Sequence, residues 1–176
     1  MNLKKLFFAL VMLTLCVSLF AESPAPASGR YVFPIPFQAK DQFGNDVDQS
    51  FWGEKEYFFL YHTATWCPPC VQGMPALAQV AKDFGDRVGF LALLDDYRTN
   101  LRGSLRISEN AGIPSDFIFV DARLPQMQSI LALVRTTSIP SSVIIDRDGK
   151  RLMEPFHTGQ ARTRLNALFS KHNENN

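Results

Sequence analysis

Two cysteines separated by two prolines stand where one hydrophobic period gives way to another. Tyr57 to Tyr61 is a compact aromatic and aliphatic run, the pattern of a strand buried on both faces. From Cys70 onward, Val71, Met74, Leu77, Ala78, Ala81 and Phe84 recur at three and four residues, as on one face of a helix. Trp66-Cys67-Pro68-Pro69-Cys70 lies between the two. A strand that delivers the first cysteine and a helix that starts there restrict this stretch to a strand–helix unit. Pro75 falls inside the helical pattern and should kink it, and Gly85 with Asp86 ends it.

The rest of the chain continues the alternation. Val88 to Leu94 reads as a second buried strand, Thr99 to Ala111 as a helix weakened by Gly103, and Phe117 to Val120 as a third strand. Leu124 to Val134 reads as a helix with Pro125 in its first turn, where proline is tolerated. Ser142 to Ile145 is a fourth strand, and Asp146-Arg-Asp-Gly149 is a tight turn of the hairpin type. Lys150 to Phe156 then reads as a fifth, antiparallel strand, and Ala161 to Ser170 as a last helix. Asp41 to Asn45 is a turn, and Tyr31 to Phe37 is extended because of Pro34 and Pro36. Alternating strands and helices closed by a hairpin and a helix imply an α/β sandwich, a central mixed β-sheet flanked by helices.

The first residues do not belong to that domain. Lys4 and Lys5 give a positive start, Leu6 to Leu15 is apolar apart from Thr14, and small residues lead to Ala21. This is the order of a secretory signal, and the apolar run is short for a membrane span. The expected organisation is a signal peptide over 1–21, a linker and extended segment over 22–36, a domain over 37–171 and a disordered tail over 172–176. An uncleaved anchor and a lipid on Cys16 are the alternatives, although Leu15 fits poorly where a small residue should precede an acylated cysteine. Cleavage after Ala21 leaves 155 of the 176 residues and, with Lys4 and Lys5 gone from 18 Lys+Arg, 16 bases against 17 acids. That balance offers no electrostatic case for nucleic acid.

The cysteine count then carries the chemistry. Without Cys16, only Cys67 and Cys70 remain, in a chain bound for a compartment where thiols can be oxidised. With 46% hydrophobic and 20% charged residues, a domain of this length buries a core that needs no staple. A bridge closing so short a loop also constrains the unfolded chain little. The helix N-terminus presents unsatisfied N–H groups and its dipole to Cys67, which favours thiolate over thiol. Cys67 is therefore the expected nucleophile and Cys70, one turn on and more buried, the resolving thiol. Pro68 and Pro69 have no N–H to offer that thiolate, which leans the pair towards a reductant. Ile139-Pro140, just before the fourth strand, is the second feature. A cis bond there brings the Ile139 backbone against the cysteines, with groups free for an incoming peptide.

W-C-P-P-C after a buried strand, Pro75 five residues past the second cysteine, and I-P before V-I-I-D-R-D-G-K resemble the thioredoxin superfamily. The likeness covers roughly Phe37 to Ser170. The D-x-x-G at Asp41–Gly44 and the extra strand-helix segment from Tyr97 to Val120 are similar to its exported TlpA/ResA-like branch. The resemblance implies a thioredoxin-like three-layer sandwich with an N-terminal extension and a strand-helix insertion. It makes Cys67 the nucleophile, Cys70 the resolving thiol and Pro140 a cis-proline, with Trp66 and Ile139 at the substrate surface. The redox-active Cys67–Cys70 disulfide is then the whole of the redox equipment, with no cofactor and no metal. Expected partners are protein thiols and disulfides and a membrane-bound electron donor, in the periplasm or another extracytoplasmic space.

Two positions depart from the pattern. Thioredoxins place a buried acid six residues before the first cysteine, where this chain has Tyr61. The cytochrome-maturation branch often has a Glu three residues after the second, where this chain has Gly73. Tyr61 and His62 are candidate proton-transfer neighbours in their place, against a plainer reading of one core residue and one satisfied neighbour. Two other functions compete. A thiol peroxidase wants a Thr three residues before its cysteine, where Ala64 stands. A copper-binding metallochaperone would use Cys67, Cys70 and a His, of which His62 is the nearest in sequence.

Overall fold

The computed structural model describes residues 33–97 and 101–174. In chain order it holds a small hairpin of β1 (Gln38–Lys40) and β2 (Asp46–Asp48), then β3 (Tyr57–Thr63) and α1 (Pro68–Phe84). β4 (Val88–Leu94), α2 (Leu101–Ala111) and β5 (Phe117–Asp121) follow. A 3-10 turn (Pro125–Met127) leads into α3 (Gln128–Val134), and β6 (Ser141–Asp146) and α4 (Ala161–Glu174) close the fold. The segment read as a signal, 1–21, lies outside the described residues, as do Cys16, positions 98–100 and most of the linker.

The apolar runs form one four-stranded sheet in the order β5-β4-β3-β6. β3 pairs parallel with β4, and β4 with β5, while β6 runs antiparallel to β3. This is the α/β arrangement with a mixed central sheet that the alternating pattern implied. Successive strand residues point to opposite faces. Phe58, Leu60, Leu91, Leu93, Val143 and Ile145 therefore pack with Ile130 and Val134 of α3. Phe59, Tyr61, Phe90, Phe119 and Ile144 pack with Met74, Leu77 and Ala81 of α1 and Leu165 of α4. Each fully buried side chain of this size contributes roughly 1.5–3 kcal/mol. Both faces of the sheet are thus covered, which explains the near-continuous apolar runs.

Several boundaries differ from the sequence reading. Helix α1 runs unbroken through Pro75, with Cys67 as its N-cap rather than its first residue. The expected fifth strand over Lys150–Phe156 is not a strand. The Asp146–Gly149 turn forms, with Gly149 at φ +78°, a conformation glycine adopts without strain. The return segment then touches β6 at two bridges, Ile145 to Arg151 and Ser142 to Phe156. Those bridges advance three residues along β6 but five along the return, so two residues must bulge out. Pro155, without an N–H, sits in that bulge. The last helix continues to Glu174, into the stretch read as a tail. The domain also begins earlier than residue 37. Phe33 is buried among Phe37, Trp52 and Phe58, and its N–H donates to the Gln49 carbonyl at 2.8 Å. Gly89 of β4 makes room for this aromatic group, since a Cβ there would stand 2.8 Å from Trp52 Cγ. Among the described residues, no helix is long and apolar enough to cross a membrane.

Candidate active site

Parallel strands β3, β4 and β5 end at the same edge of the sheet, and the cysteine motif leaves β3 there. Residues 64–66 form the turn into α1. Its conformation is held from the neighbouring strand, just past the end of β4. The buried Asp96 carboxylate accepts the Thr65 N–H at 3.0 Å and also takes the Thr65 hydroxyl. The Cys67 N–H donates to the Ala64 carbonyl at 3.3 Å. The turn leaves Trp66 65% exposed while Cys67 and Cys70 are 4% and 1% exposed. The two cysteines form a disulfide with Cα atoms 5.2 Å apart.

Helix α1 aims its first-turn donors at Cys67. Pro68 and Pro69 have none to give, so the first N–H is that of Cys70, which donates to Cys67 Sγ at 3.3 Å. The Val71 N–H goes to the Cys67 carbonyl at 3.1 Å. The sulfur therefore receives one backbone donor and the positive end of a 17-residue helix. The Ile139–Pro140 bond is cis. The Ile139 carbonyl stands 3.9 Å from Cys67 Sγ, and Ile139 packs on Ala64, Cys67 and Cys70. The structure thus brings Trp66, Cys67, Cys70, Ile139 and Pro140 together. Two surface hollows of about 480 Å³, one beside Gln38–Phe51 and one beside Glu56 and Asp146, include none of these residues.

Among solved structures, the chain is similar to the thioredoxin domain of a thiol-disulfide oxidoreductase from Bacteroides vulgatus, with TM-score 0.59 and 15% identity over 81% of this chain and 99% of that one. A secreted Mycobacterium tuberculosis disulfide oxidoreductase homologous to Escherichia coli DsbE gives TM-score 0.57 and 18% identity, covering 74% of this chain and 95% of that one. StoA from Bacillus subtilis gives 0.54 and 18%, covering 74% and 96%. The chain has the thioredoxin fold. A thioredoxin-like protein of Synechocystis is 35% identical over 48 residues, 27% of this chain and 44% of that protein. The matched stretch is thus less than half of that relative's length. No protein-family model matches the chain.

The thioredoxin fold separates the two proton-transfer candidates. Tyr61 faces α1, and its hydroxyl donates to the Cys70 carbonyl at 3.4 Å. Burial pushes its phenol up to about 12, with Thr63 alongside opposing the rise. His62, the next residue, takes the other face of the sheet. Its Nε2 meets Asp95 Oδ1 at 3.1 Å, and its buried Nδ1 has no hydrogen-bond partner among the described residues. The copper reading takes Cys67, Cys70 and a His, and the strand pleat sends His62, the nearest of these in sequence, to the face opposite Tyr61, against Asp95. Among the described residues, no three His, Cys, Asp or Glu side chains gather to hold a metal ion. At the position a peroxidase would fill with Thr, Ala64 is buried and carries no hydroxyl. A Cβ at Gly73 would meet nothing within 4 Å.

Sequence reasoning missed Asp95 and Asp96. Their partners lie 33 and 31 residues away, so no local pattern marks them. The signal that was available is topological. Residues just past the end of β4 must lie beside residues just past the end of its parallel neighbour β3.

Proposed function

We propose that this chain is an extracytoplasmic thiol–disulfide exchange enzyme working as a reductase through Cys67 and Cys70. The observation that carries the reading is the Cys67–Cys70 disulfide at the N-terminus of α1, with the Ile139 carbonyl 3.9 Å from Cys67 Sγ. In the reduced protein, the Cys67 thiolate attacks a substrate disulfide, and one substrate sulfur leaves as a thiolate that takes up a proton. Cys70, losing its own proton, then attacks Cys67 Sγ. The second substrate sulfur leaves, and the pair is left oxidised by two electrons. A donor, in this reading membrane-bound, restores the dithiol. No cofactor beyond the cysteine pair is needed. The exposed Trp66 ring and the Ile139 backbone flank the pair and suit protein substrates, which would dock on them as extended chain. Export rests on the Lys-apolar-small order of residues 1–21 and on a similar structure being described as secreted.

The test is mixed-disulfide trapping. Cys70→Ser should accumulate a covalent adduct with a disulfide substrate through Cys67, and Cys67→Ser should form none. Equal trapping by the two variants would overturn the division of roles. Intact mass of the native protein tests the export reading: a chain beginning near Glu22 supports it, and a retained Met1 refutes cleavage.

A further inference from the structure

The Tyr61 hydroxyl reaches the residue that must do the second half of the exchange. It is among the largest fully buried side chains, and its phenol oxygen stands 3.4 Å from the Cys70 carbonyl, a long hydrogen bond, with the Thr63 hydroxyl alongside. Cys70 is 1% exposed, so a thiolate formed there has almost no water to solvate it. A buried sulfur anion needs a donor from the protein.

The groups around Tyr61 offer few. Its partner on β4 is Ala92, and on β6 it is Ser142, whose hydroxyl is engaged with Thr158 at 2.8 Å. From β3 itself Thr63 lies alongside, and its buried hydroxyl is directed at the Tyr61 phenol, whose rise it opposes. From α1 come Met74 and Leu77. None of these carries a charge, and the His62–Asp95 pair is on the opposite face of the sheet. Since burial holds the phenol up to about 12, Tyr61 stays protonated at every physiological pH. It can give a hydrogen bond but cannot serve as a base.

We propose that in the reduced protein Tyr61 turns its hydroxyl from the Cys70 carbonyl to the Cys70 sulfur and holds it as the thiolate, a positioning residue for the step that resolves the mixed disulfide. The proposal rests on the exchange reading above. A neutral donor here acts oppositely to an ionised carboxylate, which would repel the thiolate. In the step itself Cys70 has already released its proton to solvent. Its sulfur forms the bond to Cys67 Sγ, the Cys67–substrate bond breaks, and the substrate thiolate leaves. Tyr61 keeps its proton throughout.

Tyr61→Phe removes one oxygen and leaves the ring packing in place. In a Cys67→Ser background, alkylation of Cys70 is followed against pH by mass spectrometry of the peptide that carries it. The Tyr61→Phe change should raise the Cys70 midpoint by about one pH unit, roughly ten-fold less thiolate at neutral pH. An unchanged or lowered midpoint overturns the proposal. In the protein with both cysteines, mixed-disulfide formation should keep its rate, and resolution should slow about ten-fold at pH 7 and recover as pH rises. Equal slowing of both steps at all pH values means a packing defect and overturns it too. If Cys70→Ser forms no adduct with either residue at position 61, the exchange reading itself has failed, an outcome distinct from normal trapping with unaltered resolution.

Discussion

Asp96→Ala should loosen the turn that presents the cysteine motif. The carboxylate is 7% exposed and accepts two hydrogen bonds from Thr65, one residue before Trp66. Hydrogen bonds to a charged group contribute about 1.5–3 kcal/mol each. Their sum is an upper bound, because Thr65 is half-buried and water can reach its freed N–H. The expected loss is about 2–4 kcal/mol, which in a domain of this size lowers Tm by roughly 5–15 °C. Thr65→Ala deletes only the hydroxyl and keeps the N–H bond, so it should cost about half as much. Thermal unfolding followed by circular dichroism, with the disulfide intact in every sample, measures both. Disulfide exchange should fall with Asp96→Ala as Cys67 loses its fixed position. An Asp96→Ala protein within ~0.5 kcal/mol of the parent, or less affected than Thr65→Ala, refutes the claim that this carboxylate holds the turn.

Two further outcomes follow from individual groups. The folded protein keeps the Tyr61 proton up to about 12, whereas the unfolded chain loses it near the ordinary value of 10. Stability from this group is thus complete below pH 10 and falls as pH rises towards 12, by ~3 kcal/mol, so denaturant melts across that range should be steeper in pH for the parent than for Tyr61→Phe. Gly73 lies inside α1 with open space where a methyl group would project, so Gly73→Ala should stabilise by about 0.5–1 kcal/mol in chemical denaturation.

What could be read from the sequence was whatever has a local cause. The four sheet strands are evident as runs because both faces of the sheet are covered, and α1 is evident because its Met74–Leu77–Ala81 stripe meets one of those faces. The cysteine motif is informative because its strand and helix lie immediately on either side. The small hairpin of β1 and β2 escaped notice because Gln38–Lys40 and Asp46–Asp48 are too short and too polar to show a period of two. The strand expected over Lys150–Phe156 had the right turn before it. Its pairing failed on a count of residues between bridges, which depends on where β6 begins and so on the tertiary structure. Phe33 lies in a proline-rich stretch that reads as linker, yet Trp52 and Phe58 give it a buried site. The pleat that sends Tyr61 to Cys70 and His62 to Asp95 could have been applied beforehand. Period two alone says that neighbours diverge, but not which of them meets the helix.

The reduction potential of Cys67 and Cys70 distinguishes a working redox couple from a fixed bridge. Equilibration in graded thiol/disulfide buffers, quenching by alkylation, and mass spectrometry of the motif peptide give the value. With one backbone donor on Cys67 Sγ and no N–H from Pro68 or Pro69, the pair should show a reversible two-electron transition near the thioredoxin value of about −270 mV. A value near −120 mV, that of a strong oxidant, would reverse the proposed direction. A bridge that stays closed well below about −300 mV, with no exchange on any substrate, would make the disulfide structural and the protein no exchange enzyme.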